Sequence, residues 1–132
     1  MRLFLDSNIF LDLILKRENY KEALYILNAI AEGLFEGVIL DITLFNIDYI
    51  AKKQVKDIRE FLETVNGIFK IVGADNDHIT KALELKNRDL EDNLQYILAK
   101  ENGCKIIITN DKDFIKNDLN ILSSKEFVDN YL

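Results

Sequence analysis

Apolar residues in this chain fall into two patterns: short unbroken runs, and longer stretches in which they recur three and four positions apart. The runs read as buried strands at Arg2–Leu5, Val38–Leu40, Ile68–Val72, Lys105–Ile108 and Asn120–Leu122. Ile106, Ile107 and Ile108 follow one another without a polar break, so both faces of that strand are expected to lie under helices. Between the runs the repeat is helical. Ile9, Phe10, Leu13 and Ile14 form one stripe, and Ala23, Leu24, Leu27 and Ile30 form a second that closes near Gly33. Leu44, Ile47 and Ile50 form a third; Val55, Ile58, Phe61, Leu62 and Val65 form a fourth, expected to end at Asn66-Gly67. Asp75 is placed to cap a helix through Ile79, Ala82, Leu83 and Leu85. The next helix, marked by Leu90, Leu94, Ile97 and Leu98, stops at Asn102-Gly103. Ser123-x-x-Glu126 is a capping box that opens the last, ahead of Phe127 and Tyr131. Strands alternating with helices predict an α/β fold with a mostly parallel sheet of about five strands, residues 1–132 forming one domain.

Composition narrows the setting. At 132 residues the chain can bury roughly two thirds of its unfolded surface, and 48% apolar residues suffice for a core. No run approaches the roughly 18 apolar residues of a membrane span. The opening Met-Arg-Leu-Phe-Leu-Asp meets an acid too early for a signal peptide. One cysteine, Cys104, cannot form an internal disulfide and fits a reducing, cytoplasmic setting. With a single His and a single Cys there is no zinc site of thiolates and imidazoles, so any metal must be held by oxygen. A net charge of −6 argues against wrapping nucleic acid on a basic surface. It leaves a nuclease open, because acids gathered at a metal site lower the total and a bound cation reverses their local sign.

Acids recur where apolar runs end: Asp6, Asp41 and Asp111 after strands, and Asp89-x-Glu91-Asp92 at a helix start. Open parallel sheets bind ligands beyond the C-terminal ends of their strands. Any one of these acids alone reads as a helix cap; the set is what carries chemistry. Asp89 and Asp92, three apart, share a helix face, whereas Glu91 lies roughly 100° from Asp92. Two carboxylates about 4 Å apart repel by roughly 4 kcal/mol at an effective dielectric of 20. Converging acids therefore need a cation or a proton. Mg2+ or Mn2+ suits oxygen ligands, and one ion or a pair could serve phosphodiester chemistry. Other residues have plainer roles. His78 reads as solvated, Cys104 as a core thiol, and Tyr20, Tyr25, Tyr49 and Tyr96 as half-buried packing. Lys16-Arg17, Lys52-Lys53 with Lys56, and Lys86 with Arg88 read as solvated helix faces.

Asp6-Ser7-Asn8, Asp89-Leu90-Glu91-Asp92-Asn93-Leu94-Gln95 and Thr109-Asn110-Asp111-Lys112-Asp113-Phe114 resemble the successive motifs of PIN domains. Those are metal-dependent ribonucleases, many of them VapC-type toxins of toxin–antitoxin pairs. Each motif alone occurs by chance, but three in order over nearly the whole chain are specific. The resemblance implies a three-layer α/β/α fold and a Mg2+ or Mn2+ cofactor held by Asp6, Asp92 and Asp111 as metal-binding and catalytic acids. Asn8 would assist beside Asp6, and Thr109 would orient a carboxylate or a bound water. Asp113 would be an additional acid or a turn former, with Asp89 and Glu91 in support. Phe114 is expected in the core, and Gln95 at the crevice rim or against a neighbouring helix, without chemistry.

There is one departure. Many PIN domains carry a Glu in the third helix where this chain has Asn46, and Asp48 lies roughly 200° further round the axis. The chain thus resembles a subgroup with Asn there, which lowers the site's charge by one. The implied partners are an RNA substrate, a cognate antitoxin and a second copy in a homodimer. The alternative is a non-catalytic PIN-like module that binds RNA or protein. A phosphoacceptor using Asp6 as nucleophile would need a second acid beside it, and Asp6-Ser7-Asn8 has none.

Overall fold

Five strands and seven helices alternate along the chain in the computed structural model, which describes all residues from Met1 to Leu132. The order is β1 (Arg2–Leu5), α1 (Ser7–Ile14), α2 (Tyr20–Ala31), β2 (Glu36–Leu40), α3 (Asp41–Ala51), α4 (Ile58–Ile68) and β3 (Phe69–Val72). Then follow α5 (Asn76–Glu84), α6 (Leu90–Glu101), β4 (Ile106–Ile108), β5 (Asn120–Leu122) and α7 (Ser124–Tyr131). Every strand pairing is parallel, so the sheet is wholly rather than mostly parallel. Its order is β3-β2-β1-β4-β5. The chain runs outward from β1 through β2 to β3, then returns to place β4 on the other side of β1. The order reverses between β1 and β4, which is where α/β sheets open a crevice.

Strand residues alternate between two cores. Leu3, Leu5, Ile39, Ile106 and Ile108 face the larger one, with Ile9, Phe10, Ile26, Ile47, Val65 and Phe127 from the covering helices. Phe4, Val38, Leu40 and Ile107 face the smaller one, filled by Leu98, Ala99, Cys104 and Phe114. Burial of all three isoleucines of β4 follows from this double cover. Cys104 and Phe114 are core residues, as the sequence suggests.

Local signals set the helix ends. Asp75 caps α5 and Ser123 caps α7, both in capping boxes. Gly103, at φ 70°, lets α6 close as a Schellman turn: its N–H donates to Lys100, and that of Cys104 donates to Ala99. The fourth helix does not end at Asn66-Gly67; it continues through Gly67 to Ile68 and passes directly into β3. His78 is not solvated either. Its Nδ1 accepts the Asp75 N–H at 3.0 Å and its Nε2 lies 2.7 Å from Glu101, pinning α5 to α6. Tyr96 is half-buried as expected, whereas Tyr20, Tyr25 and Tyr49 are exposed, Tyr49 by 76%. The lysine pairs and Arg88 are on the surface. No helix is long and apolar enough to cross a membrane.

Candidate active site

β1 and β4 are neighbours, and each ends in an acid-bearing segment at the same edge of the sheet. Asp6 follows β1, its N–H donating to the carbonyl of Ile108 at 3.0 Å. Its side chain is 5% exposed and accepts four short hydrogen bonds. Oδ1 takes the N–H of Ser7 at 2.7 Å and Nε2 of Gln95 at 3.1 Å. Oδ2 takes the hydroxyl of Thr109 at 2.7 Å and Nδ2 of Asn8 at 3.2 Å. Four donors match the roughly four lone-pair sites of a carboxylate, so the orientation of Asp6 is fixed.

Thr109 is the hinge of this network. Its hydroxyl has one proton, given to Asp6, and its lone pairs receive Nδ2 of Asn8 at 3.3 Å and the N–H of Asp111 at 3.0 Å. Asn110, between them, ties the loop after β4 to two helices, α1 and α7. Its N–H donates to Asn8, its Nδ2 to the buried Asp12, and its Oδ1 accepts from the N–H and hydroxyl of Ser124. Burial pushes the Asp12 carboxyl above its ordinary range, against the pull of Asn110 and Arg17. The Asp111 side chain closes a turn by accepting the N–H of Asp113 on Oδ1 at 2.9 Å.

From the other side α6 contributes its first turn. Asp89 caps it, accepting the Asp92 N–H at 3.1 Å. Asp89, Asp92 and Asp111 each present an oxygen within 4.8 Å of the other two. Asp6 does not join that trio, although its charge bears on both Asp92 and Glu91. Glu91 turns toward α3, where Asn46 donates to it at 2.8 Å. Burial raises its carboxyl, with Asp6 and Asp89 adding to the rise and Asn46 opposing it. Asp41 stays apart: it is exposed in the first turn of α3, where it accepts the Ile42 N–H at 2.7 Å.

Asp92 is the acid under most stress. It is 4% exposed, and its Oδ2 is buried with no hydrogen-bond partner. Burial first, then the charges of Asp89, Asp6, Asp111 and Glu91, push its carboxyl up to about 7. A buried oxygen without a donor, beside two other carboxylates, is the arrangement a small divalent cation would satisfy.

Gln95, expected at the crevice rim or against a neighbouring helix, is not at the rim but against the cap of α1. It is 1% exposed and lies against Asp6. The signal was in the spacing: three residues after Asp92 on a helix, it shares that acid's face.

Residues 2–113 match the family model for the PIN domain. The chain belongs to the PIN-domain family. This PIN domain is 32% identical over 138 aligned positions to ribonuclease VapC1 of Aquifex aeolicus, spanning 98% of the chain and 95% of that protein. Its fold is similar to a protein in a toxin–antitoxin complex from Klebsiella pneumoniae, with a TM-score of 0.69 and 23% identity, covering 92% of this chain and 97% of that one. It is also similar to VapC20 of Mycobacterium tuberculosis, a toxin that cleaves the sarcin–ricin loop. There the TM-score is 0.66 at 11% identity, over 85% of this chain and 92% of that one.

Proposed function

We propose that this PIN domain is a VapC-type toxin: an endoribonuclease that hydrolyses RNA phosphodiesters with a divalent cation, and the partner of an antitoxin. The observation that carries the reading is the partnerless buried Oδ2 of Asp92, held with Asp89 and Asp111 in one acidic crevice. The relationship to ribonuclease VapC1 over nearly the whole chain supports the activity. The fold shared with a protein of a toxin–antitoxin complex supports the antitoxin. We take residues 1–132 as one domain working in the cytoplasm, where a free thiol such as Cys104 persists.

Mg2+ or Mn2+ fits the all-oxygen donor set, and would polarise the phosphate and acidify the attacking water. Asp92 and Asp111 would hold it with Asp89 within reach of both, and Asp6, outside that trio, is assigned to it by its place in the PIN-domain motif. With its carboxyl pushed up to about 7, Asp92 is shared between its protonated and charged forms near neutral pH, and a cation held there would favour the charged form. Asp6 can turn an oxygen to a cation only by releasing one of its longer bonds, to Asn8 at 3.2 Å or Gln95 at 3.1 Å. The shorter bonds from Thr109 and the Ser7 N–H, both 2.7 Å, would hold it in place meanwhile. Exposed apolar residues of α3, Phe45 and Tyr49, support a protein interface, either with the antitoxin or with a second copy.

Asn46 favours a second reading, a PIN module of the Asn-bearing subgroup that binds RNA or protein without cutting. Its amide is spent on Glu91, so α3 brings no acid of its own at that position. Purified, antitoxin-free protein incubated with single-stranded RNA and Mg2+ or Mn2+ separates the two. Cleavage that disappears in Asp6→Asn and Asp111→Asn is expected. Intact RNA across a range of metals and concentrations would end the nuclease reading, and a failure of Mn2+ to bind at the acids would favour the second.

A further inference from the structure

The acidic crevice presents a problem for its own substrate, since five carboxylates repel an incoming polyanion. The relief lies next door. Asp111 and Thr109 form one wall of a cavity of about 520 Å3 between the loop after β4, the loop before α2 and the start of α7. That volume is within the range of sites for small ligands. Lys112, Lys116 and Lys125 stand around it. Lys125 pairs with Asp129 at 3.2 Å, while Lys112 and Lys116 enter no ion pair. The acids on the lining are Asp111 and Glu126, and Glu126 is occupied in the capping box of α7, accepting the Ser123 N–H at 2.9 Å. The cavity therefore offers free cations beside a cluster of acids, on a chain whose net charge is −6.

Its other surfaces suit a nucleotide rather than a bare ion. The half-buried Ile121, with the edge of the core residue Phe114 behind it, supplies an apolar wall. Asn19 reaches the opening from the N-terminus of α2, where its side chain makes no capping bond and its amide is unspent. Apolar surface for a base or ribose, with unpaired lysines for phosphates, is the composition of single-strand binding grooves.

We infer that this cavity seats the RNA strand adjoining the scissile bond, with Lys112 and Lys116 holding the backbone phosphates. The inference rests on the proposed ribonuclease reading and assigns it a strand path: the strand leaves the acids past Asp111 and runs toward β5 and α7. An acidic protein segment would meet the same lysines and is the competing outcome of the test below.

The test is binding of a short fluorescein-labelled single-stranded RNA, followed by anisotropy over a range of salt. It uses Asp92→Asn protein, so that the probe stays intact. Adding Lys112→Gln and Lys116→Gln should weaken binding about tenfold at low salt, and should flatten the salt dependence by roughly 0.7 in log–log slope per lost phosphate contact. Lys70→Gln on β3, at the opposite edge of the sheet, should leave both unchanged. On the Asp92 background the double lysine variant also gives the catalytic split: with Asp92 restored, KM for the oligonucleotide rises while kcat stays within about twofold.

Unchanged RNA affinity and salt slope in the double lysine variant overturn the inference and leave the lysines to an acidic protein segment. Absence of any RNA binding overturns it too. If RNA binds through the lysines but the wild-type chain never cuts, the ribonuclease reading falls and the RNA seat stands.

Discussion

Asp92 carries most of the electrostatic strain, and its consequences can be measured without substrate. Its carboxyl is pushed up to about 7 by burial and by Asp89, Asp6, Asp111 and Glu91. Between about pH 4 and pH 7 the folded, metal-free protein therefore keeps a proton that the unfolded chain has released. Stability should fall as pH rises through that window and level off above it. Asp92→Asn should flatten the slope and stabilise the metal-free protein at pH 8, by something on the order of 3 kcal/mol; chemical denaturation at several pH values checks this. Gln95 invites a different substitution. Gln95→Leu keeps the volume but removes a buried donor from Asp6, a bond to a charged group worth about 1.5–3 kcal/mol. We expect kcat/KM for RNA to fall about tenfold or more, with a change in Mn2+ affinity measured by calorimetry. A purely structural Gln95 would lower Tm and leave both untouched.

At the scale of elements, the strand–helix joints bring the site residues together. α1 starts directly after Asp6 and α6 directly after Asp89, so the residue that caps each helix is also an acid at the crevice. The sheet beneath tolerates little change. Gly37 of β2 faces Phe69 of β3 in register, and a Cβ at that position would lie 2.4 Å from the Phe69 ring. Phe69 is buried and packs edge-on against Phe10 at 5.1 Å, so it has little room to withdraw. Gly37→Ala should cost about 1–3 kcal/mol, read as a lower Tm. Cleavage by the protein that remains folded should be unaffected, because the crevice lies at the far ends of β1 and β4.

For the whole molecule, metal and fold are linked. Gathering Asp6, Asp89, Glu91, Asp92 and Asp111 costs the protein stability that a cation bound among them would return. Mn2+ or Mg2+ at 100 times its Kd should stabilise the wild-type chain by about 2.7 kcal/mol, and a chelator should reverse the gain in Tm. In Asp92→Asn the response should shrink, because the partnerless oxygen is gone and the repulsion is already relieved. An equal rise in Tm in both proteins would place the bound ion elsewhere.

The sequence determined the local part of this protein. Strand runs, stripes and caps depend on residues a few positions apart, so β1 and β5 could be read to the residue and the α5, α6 and α7 caps by their signatures. The run of acids after strands likewise marked one end of the sheet as the place for chemistry. Where local signals were weak the reading slipped: Asn66-Gly67 resembles a stop, but packing of Val65 and Ile68 carries α4 through it. What the tertiary structure alone decided is which groups meet. Gln95 reaches Asp6 across 89 residues, Thr109 reaches it across 103, and His78 finds Glu101 instead of water. Those partners depend on the order β3-β2-β1-β4-β5, which sets β4 beside β1 and brings the segments after them into one crevice. Residue spacing encodes each acid's own element. Desolvation, hydrogen-bond partners and the push on Asp92 are properties of the space between elements, and that space exists only once the sheet has closed.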